Sequence, residues 1–135
     1  MPRLNVNTKR GALGKSGEDE ASLYLRDKGF IIIERNFECR CGEIDIVAVD
    51  VNSNLFVFAE VKTRRNLNYG VPSLSVIGNK QKHIRNSANV YMLKNNKRML
   101  KDNFINNETE FRFDILEVLY MSGKRKIEHI EGAFE

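Results

Sequence analysis

The sequence predicts one α/β domain whose elements run α-β-β-β-α-β. Three observations predict it. A stretch from Glu18 to Lys28 repeats apolar residues at helical spacing and is stopped by Gly29. Two runs rich in β-branched and aromatic residues, Gly42 to Asp50 and Leu55 to Thr63, alternate like strands on either side of Asn52-Ser53-Asn54. A second helical pattern from about Val76 to Leu93 is then followed by a further strand pattern, Glu110 to Tyr120. A length of 135 residues suits a single domain, 1–135, with a core of its own.

Taken in order, Met1 to Asn7 is polar and reads as a loose N-terminus. Gly14-Lys15-Ser16 has the ending of a phosphate-binding loop. That motif requires a glycine five positions before Gly14, and position 9 is Lys, so the reading is rejected. In the first helix Ala21, Tyr24, Leu25 and Lys28 share a face. Ser16 and Asp19 could cap it, and a start near Thr8 is equally open. Glu18 borders the buried stripe. It suits a site acid or a plain N-terminal acid favoured by the helix dipole.

Phe30 to Asn36 is a short apolar strand, and a loop with Cys39 and Cys41 leads into the hairpin. The unusual feature of that hairpin is where its charges fall. Residues two apart in a strand share a face. Glu43 and Asp45 therefore lie with Val47 and Val49, and Glu60 and Lys62 lie with Phe56 and Phe58. A two-residue loop at Asn52-Ser53 puts Asp45 opposite Glu60 and Glu43 opposite Lys62. A three-residue loop would turn Asp45 to the wrong face. Two carboxylates opposed on a sheet repel each other. A shared divalent cation such as Mg²⁺ removes that penalty, because hard cations prefer carboxylate oxygens.

Beyond Lys62 the chain turns basic at Arg64 and Arg65, and Asn66 to Ser75 reads as a loop. Ile77, Gln81, Ile84, Ala88, Tyr91 and Met92 form the apolar-leaning stripe of the second helix, with Lys80, Lys82, His83 and Arg85 crowding its first turns. A solvated face and a set of phosphate contacts both suit those cations. The Asn-rich stretch from Lys94 predicts a helix end and then a mobile loop over 95–108. Arg125 to Ile130 offers an edge strand after the turn at Met121 to Lys124. Arg112 and Asp114 share a strand face, and a structural ion pair is the favoured reading.

Composition narrows the class. With 41% hydrophobic and 30% charged residues the chain is globular rather than disordered. No apolar run reaches the roughly 18–20 residues that span a bilayer. The N-terminus lacks an apolar signal core, so a cytoplasmic protein without a membrane partner is expected. Cys39 and Cys41 are too few for a zinc set and poorly spaced for a mutual disulfide, which predicts free thiols in a reducing compartment. A net charge of +4, from 22 basic and 18 acidic residues, permits a polyanionic partner without demanding one.

The ordered set Gly14-x-x-Gly17-Glu18, Gly29-Phe30, Asn36, Gly42-Glu43-Ile44-Asp45, Glu60-Val61-Lys62-x-Arg64, Gly70, Lys80, Ala88 and Arg112-Phe113-Asp114 spans roughly residues 8 to 120. In this order it resembles the PD-(D/E)XK, restriction-endonuclease-like core, and more closely the YraN-like family of small bacterial endonuclease-like proteins. The Pro-Asp dipeptide of the superfamily's name is Ile44-Asp45 here. The resemblance implies a mixed sheet flanked by helices and a nuclease that hydrolyses DNA phosphodiesters with Mg²⁺ or Mn²⁺.

Carried over residue by residue, it implies Asp45 and Glu60 as metal ligands and Lys62 as the group that orients or activates the attacking water. It implies Glu18 as a first-helix acid like that of archaeal Holliday-junction resolvases, and Lys80 or Gln81 as an added helix residue. Arg64, Arg65, Lys80 and Lys82 would hold the phosphate backbone without reading sequence. Glu43, Arg112 and Asp114 form a second tier. DNA is the expected partner, and a symmetric homodimer would suit branched or duplex DNA. A nucleic-acid-binding module without turnover, and a protein-interaction scaffold, are the competing readings.

Overall fold

The computed structural model of the protein describes residues 8–64 and 79–135. The loose N-terminus, Arg65, Gly70, Ile77 and the loop after Arg65 lie outside these residues. The elements are α1 (Thr8–Asp27), β1 (Ile31–Cys39), β2 (Gly42–Asp50), β3 (Leu55–Arg64), α2 (Asn79–Lys101), β4 (Glu110–Met121) and β5 (Lys124–Phe134). The strands form one sheet in the order β1-β2-β3-β4-β5. Only β3 and β4 are parallel; the other neighbours are antiparallel. The fold is therefore α/β with a mixed sheet and the expected αβββαβ order, extended by β5.

Each sheet face carries its own core, as the period of two requires. Ile46, Ala48, Val57, Ala59, Leu116 and Val118 meet Ala21 and Leu25 of α1. On the other face Val47, Val49, Phe56 and Phe58 meet Ala88, Tyr91 and Met99 of α2. Gly17 lets α1 sit close to the sheet. A Cβ at that position would come within 2.1 Å of Thr63 Oγ1.

The structure settles the open start of the first helix and revises three other boundaries. The first helix begins at Thr8, so Ser16 is not its cap; its hydroxyl instead meets Tyr120 Oη at 3.2 Å. The strand expected to end at Asn36 runs on to Cys39, leaving Arg40 and Cys41 as a two-residue turn. The hairpin connection is a 3₁₀ turn over Val51–Ser53 closed by Asn54 in the left-handed region, not a two-residue loop. Asp50 still pairs with Leu55, so the predicted parity and register hold.

The last correction concerns residues 95–108. Seven of them, 95–101, continue α2, and Met99 is fully buried there. Asn95 donates its amide to the Tyr91 carbonyl at 2.8 Å. The asparagines and lysines of this stretch sit mostly on the solvent side, where composition hides a helix that buries only Met99 in its last two turns.

Candidate active site

The hairpin brings the two predicted carboxylates to positions that the register sets opposite each other on β2 and β3, and both are buried. Asp45 is 9% exposed and Glu60 is 7% exposed. The sheet is opened at this point. The β2–β3 ladder is regular from Asp50–Leu55 to Ile46–Ala59. One step further the Val61 N–H donates to Asp45 Oδ2 at 2.8 Å. On the other side of β2 the pairs Arg35–Ile46 and Phe37–Ile44 bracket Asn36, whose φ of 56° interrupts β1 level with Asp45. Asp45 thus sits where both neighbouring ladders are interrupted.

Electrostatics follow from this placement. Burial, then the charge of Glu60, raises the Asp45 carboxyl from its ordinary 3.8 to about 7, with smaller contributions from Glu18 and Glu43; the Val61 hydrogen bond opposes the rise. Glu60 is held by two amines, Lys80 Nζ at 3.1 Å and Lys62 Nζ at 3.7 Å. Burial lowers the Lys62 amine, with Lys80 adding to the fall and Glu60 resisting it. Burial pulls Lys80 the same way, but Glu60 outweighs it and raises Lys80. Two lysines with opposite tendencies therefore share one carboxylate.

α2 delivers Lys80 to this cluster because the β1–β2 turn lets the helix come close. Gly42 has a φ of 147°, and a Cβ there would lie 3.0 Å from Ser87 Oγ and 3.3 Å from His83 Cβ. The resulting cleft has a volume of about 390 Å³ and is lined by Glu43, Glu60, Lys80, His83 and the β1–β2 turn. Glu43 stands exposed at its edge, and Lys82 is exposed on the first described turn of α2. Gln81 is partly buried on the same turn.

Glu18 of α1 lies on the opposite side of the sheet core. It pairs with Arg35 at 3.6 Å, and Asp19 takes the same guanidinium at 2.8 Å. Its negative charge nevertheless registers at Asp45. Arg64 is drawn inward. Its Nε lies 3.3 Å from Glu117 Oε2, which gives it a fixed carboxylate partner. Glu117 is fully buried, stands level with Lys62 on β4, and was missed by sequence reasoning. Burial raises its carboxyl. A signal was present: Glu117 is the one charge in Ile115-Leu116-Glu117-Val118-Leu119, a run otherwise apolar on both faces.

Arg112 and Asp114 belong to a different cluster. Asp114 pairs with Ala59 and so faces the α1 side of the sheet. It takes a two-pronged contact from Arg112, both bonds 2.8 Å, with His129 Nε2 at 2.7 Å and the Gly132 N–H at 3.0 Å. Burial would raise this carboxyl, but the His129, Arg112 and Gly132 hydrogen bonds hold it down at about 2. Arg112 and Asp114 thus form an ion pair on one strand face.

The fit of these residues to a divalent ion rests on their chemistry. Among the described residues, no group of three or more His, Cys, Asp or Glu forms a closed metal set. Two adjacent buried carboxylates match what Mg²⁺ usually takes, one or two carboxylates with the remaining positions left to water and substrate phosphate.

Sequence comparison places the chain. The family described as Uncharacterised protein family UPF0102 matches residues 17–118, which run from the second half of α1 through most of β4. The chain belongs to the UPF0102 family. A UPF0102 protein of Trichlorobacter lovleyi is 42% identical over 136 aligned positions, covering 100% of this chain and 98% of its own length. UPF0102 proteins of Pelobacter propionicus and Clostridium botulinum (strain Loch Maree) are 40% and 39% identical, over 90% and 91% of this chain. The match to UPF0102 covers the hairpin and the first described turns of α2, so the cluster around Glu60 lies wholly within the family region. No helix among the described residues is long and apolar enough to cross a membrane.

Proposed function

We propose that this UPF0102 protein is a metal-dependent nuclease of the restriction-endonuclease-like superfamily, acting on DNA phosphodiesters in repair, recombination or processing. One observation carries the reading: Asp45 and Glu60 are buried at opposed positions of the β2–β3 hairpin, with the amines of Lys62 and Lys80 gathered on Glu60. Buried carboxylates that share a site without full cationic compensation are costly, and such clusters concentrate at functional sites.

Asp45 and Glu60 would hold Mg²⁺ or Mn²⁺, which when bound supplies Lewis acidity and a water of lowered pKa. Lys62, depressed by burial, suits positioning that water and balancing charge on a phosphate oxygen. Lys80 and Lys82 at the start of α2 suit the phosphate backbone, with contacts that fix position without reading sequence. Arg64 is committed to Glu117 and supports β3 from within. Glu18 acts on the site through its charge at Asp45.

The test is a panel of linear, flap and four-way-junction DNAs with Mg²⁺ and with Mn²⁺. Cleavage that vanishes in chelator and in Asp45→Ala and Glu60→Ala supports the reading. Silence across the panel with salt-sensitive binding retained would replace it with a nucleic-acid-binding module. That second reading is favoured by one contact: Lys80 sits 3.1 Å from Glu60 Oε1, where it competes with a cation.

A further inference from the structure

Cys39 and Cys41 flank Arg40 at the β1–β2 turn, a spacing that by itself argues against a mutual disulfide. The fold changes that judgement. Cys39 ends β1 opposite Gly42, Cys41 lies in the two-residue turn, and their Sγ atoms are 2.9 Å apart as free thiols. Both are partly exposed. Fully buried Ser87 of α2 stands behind them, with its Oγ 3.4 Å from Cys39 Sγ and 3.8 Å from Cys41 Sγ. The Ser87 hydroxyl also donates to the His83 carbonyl at 2.8 Å, which fixes its place on the helix.

From this geometry we infer that Cys39 and Cys41 are a reversible redox pair, oxidised by hydroperoxides to an intramolecular disulfide at the wall of the cleft. The Cys39 thiolate attacks the peroxide O–O bond, forms an S–O bond and expels hydroxide or alkoxide. The Cys41 thiolate then attacks the Cys39 sulfenic sulfur, the S–O bond breaks, and water leaves once the departing oxygen is protonated. The peroxide takes the two electrons that the two thiols give up.

The roles of the two sulfurs follow from their surroundings. Burial disfavours the Cys39 thiolate, but its hydrogen bonds with the Cys41 and Ser87 side chains and with the backbone at Cys41 and Gly42 outweigh it and lower the Cys39 thiol. Its hydrogen bond to Cys39, then burial, raises the Cys41 thiol. Cys39 is therefore the attacking sulfur and Cys41 the resolving one. Metal capture fits less well. Two Zn–S bonds at a tetrahedral angle hold sulfurs about 3.8 Å apart, and these are closer.

Cys39 lines the same cleft as Glu60, Lys80 and His83. Closing the disulfide withdraws its sulfur from Ser87 and alters how the turn meets the first turns of α2. This second consequence rests on the nucleic-acid reading of the cleft; the redox chemistry does not.

The test uses the full chain, reduced and then treated with a small excess of hydrogen peroxide before alkylation and intact-mass measurement. The expected product is a monomer that takes up no alkyl group, has lost two hydrogens, and regains two alkylatable thiols after dithiothreitol. Cys41→Ser should stop at a sulfenic acid on Cys39 that a dimedone probe captures, and Cys39→Ser should react at least tenfold more slowly. Two alkylated thiols after peroxide, a disulfide-linked dimer, or protection of both thiols by added Zn²⁺ alone would each overturn the inference. Labelled-DNA binding by the reduced and oxidised forms then reads the coupling to the cleft. An effect of threefold or more, absent in Cys41→Ser, is expected; identical binding would remove the coupling and leave the mass result standing.

Discussion

The Val61 N–H donates to the Asp45 carboxylate at 2.8 Å, at the level where the backbone ladder between their strands ends. A side chain has taken the place of a main-chain acceptor. This fixes one carboxylate oxygen of Asp45 and places Asp45 beside Glu60, the residue before Val61. It also puts a carboxylate where burial penalises its charge.

That penalty should be measurable without metal. The folded Asp45 carboxyl titrates near 7 against 3.8 unfolded, so its neutral form is favoured by folding. A raised folded pKa gives stability that is complete below pH 3.8 and lost as pH rises through 7. The rise from 3.8 to about 7 corresponds to a loss on the order of 4 kcal/mol, an upper figure for one group. In chelator at pH 8, Asp45→Asn should therefore unfold at higher denaturant than the native chain. The difference should shrink at pH 5, and chemical denaturation at the two pH values checks it.

The Lys80 amine lies 3.1 Å from Glu60 Oε1, where a cation proposed for Glu60 would meet it, and its side chain is 48% exposed. Lys80→Ala should bind Mn²⁺ a few-fold more tightly in calorimetry while losing affinity for DNA. Its effect on stability should be about 1 kcal/mol, because Lys80 is half-exposed and the buried Glu60 keeps Lys62 at 3.7 Å.

Gly17 and Thr63 are in conflict with any larger residue at position 17. Gly17→Ala should cost about 1–3 kcal/mol through overpacking. Because the nearest atom is the Thr63 hydroxyl, Gly17→Ala with Thr63→Ala should recover most of that loss in a double-mutant cycle.

Asp114 holds together Arg112, His129 and the Gly132 N–H. Asp114→Ala removes the main partner of the partly buried Arg112, leaving it only Glu131 at 3.8 Å, and strands His129 and the Gly132 N–H, so it should cost about 3–5 kcal/mol. The Asp114 carboxyl is depressed to about 2 from 3.8, so its contribution is present above pH 3.8 and fades as pH falls through 2. Mn²⁺ affinity of the folded fraction should not change, which separates this cluster from the Asp45–Glu60 site.

Much of this arrangement was legible in the sequence. The alternation of Gly42 to Asp50 and Leu55 to Thr63 set the register of Asp45 against Glu60, because an even connection of any length keeps both on one face. The connection's conformation was not legible, since Asn54 in the left-handed region serves a 3₁₀ turn as well as a tight one. The continuation of α2 was hidden because Met99 is the one fully buried side chain beyond Tyr91. The lone charge of Glu117 in an apolar run was legible, but its partner Arg64 and the Ser87 that backs Cys39 lie 53 and 48 positions away. Local pattern carries no record of such contacts.

Calorimetric titration of Mn²⁺ at pH 8 into the native chain, Asp45→Asn and Glu60→Gln tests the central claim most directly. The account predicts one ion per chain for the native protein and at least a tenfold loss of affinity in each variant, with both variants folded. Binding of equal strength in all three, or none to the native chain at millimolar Mn²⁺ with a DNA oligonucleotide present, would contradict it.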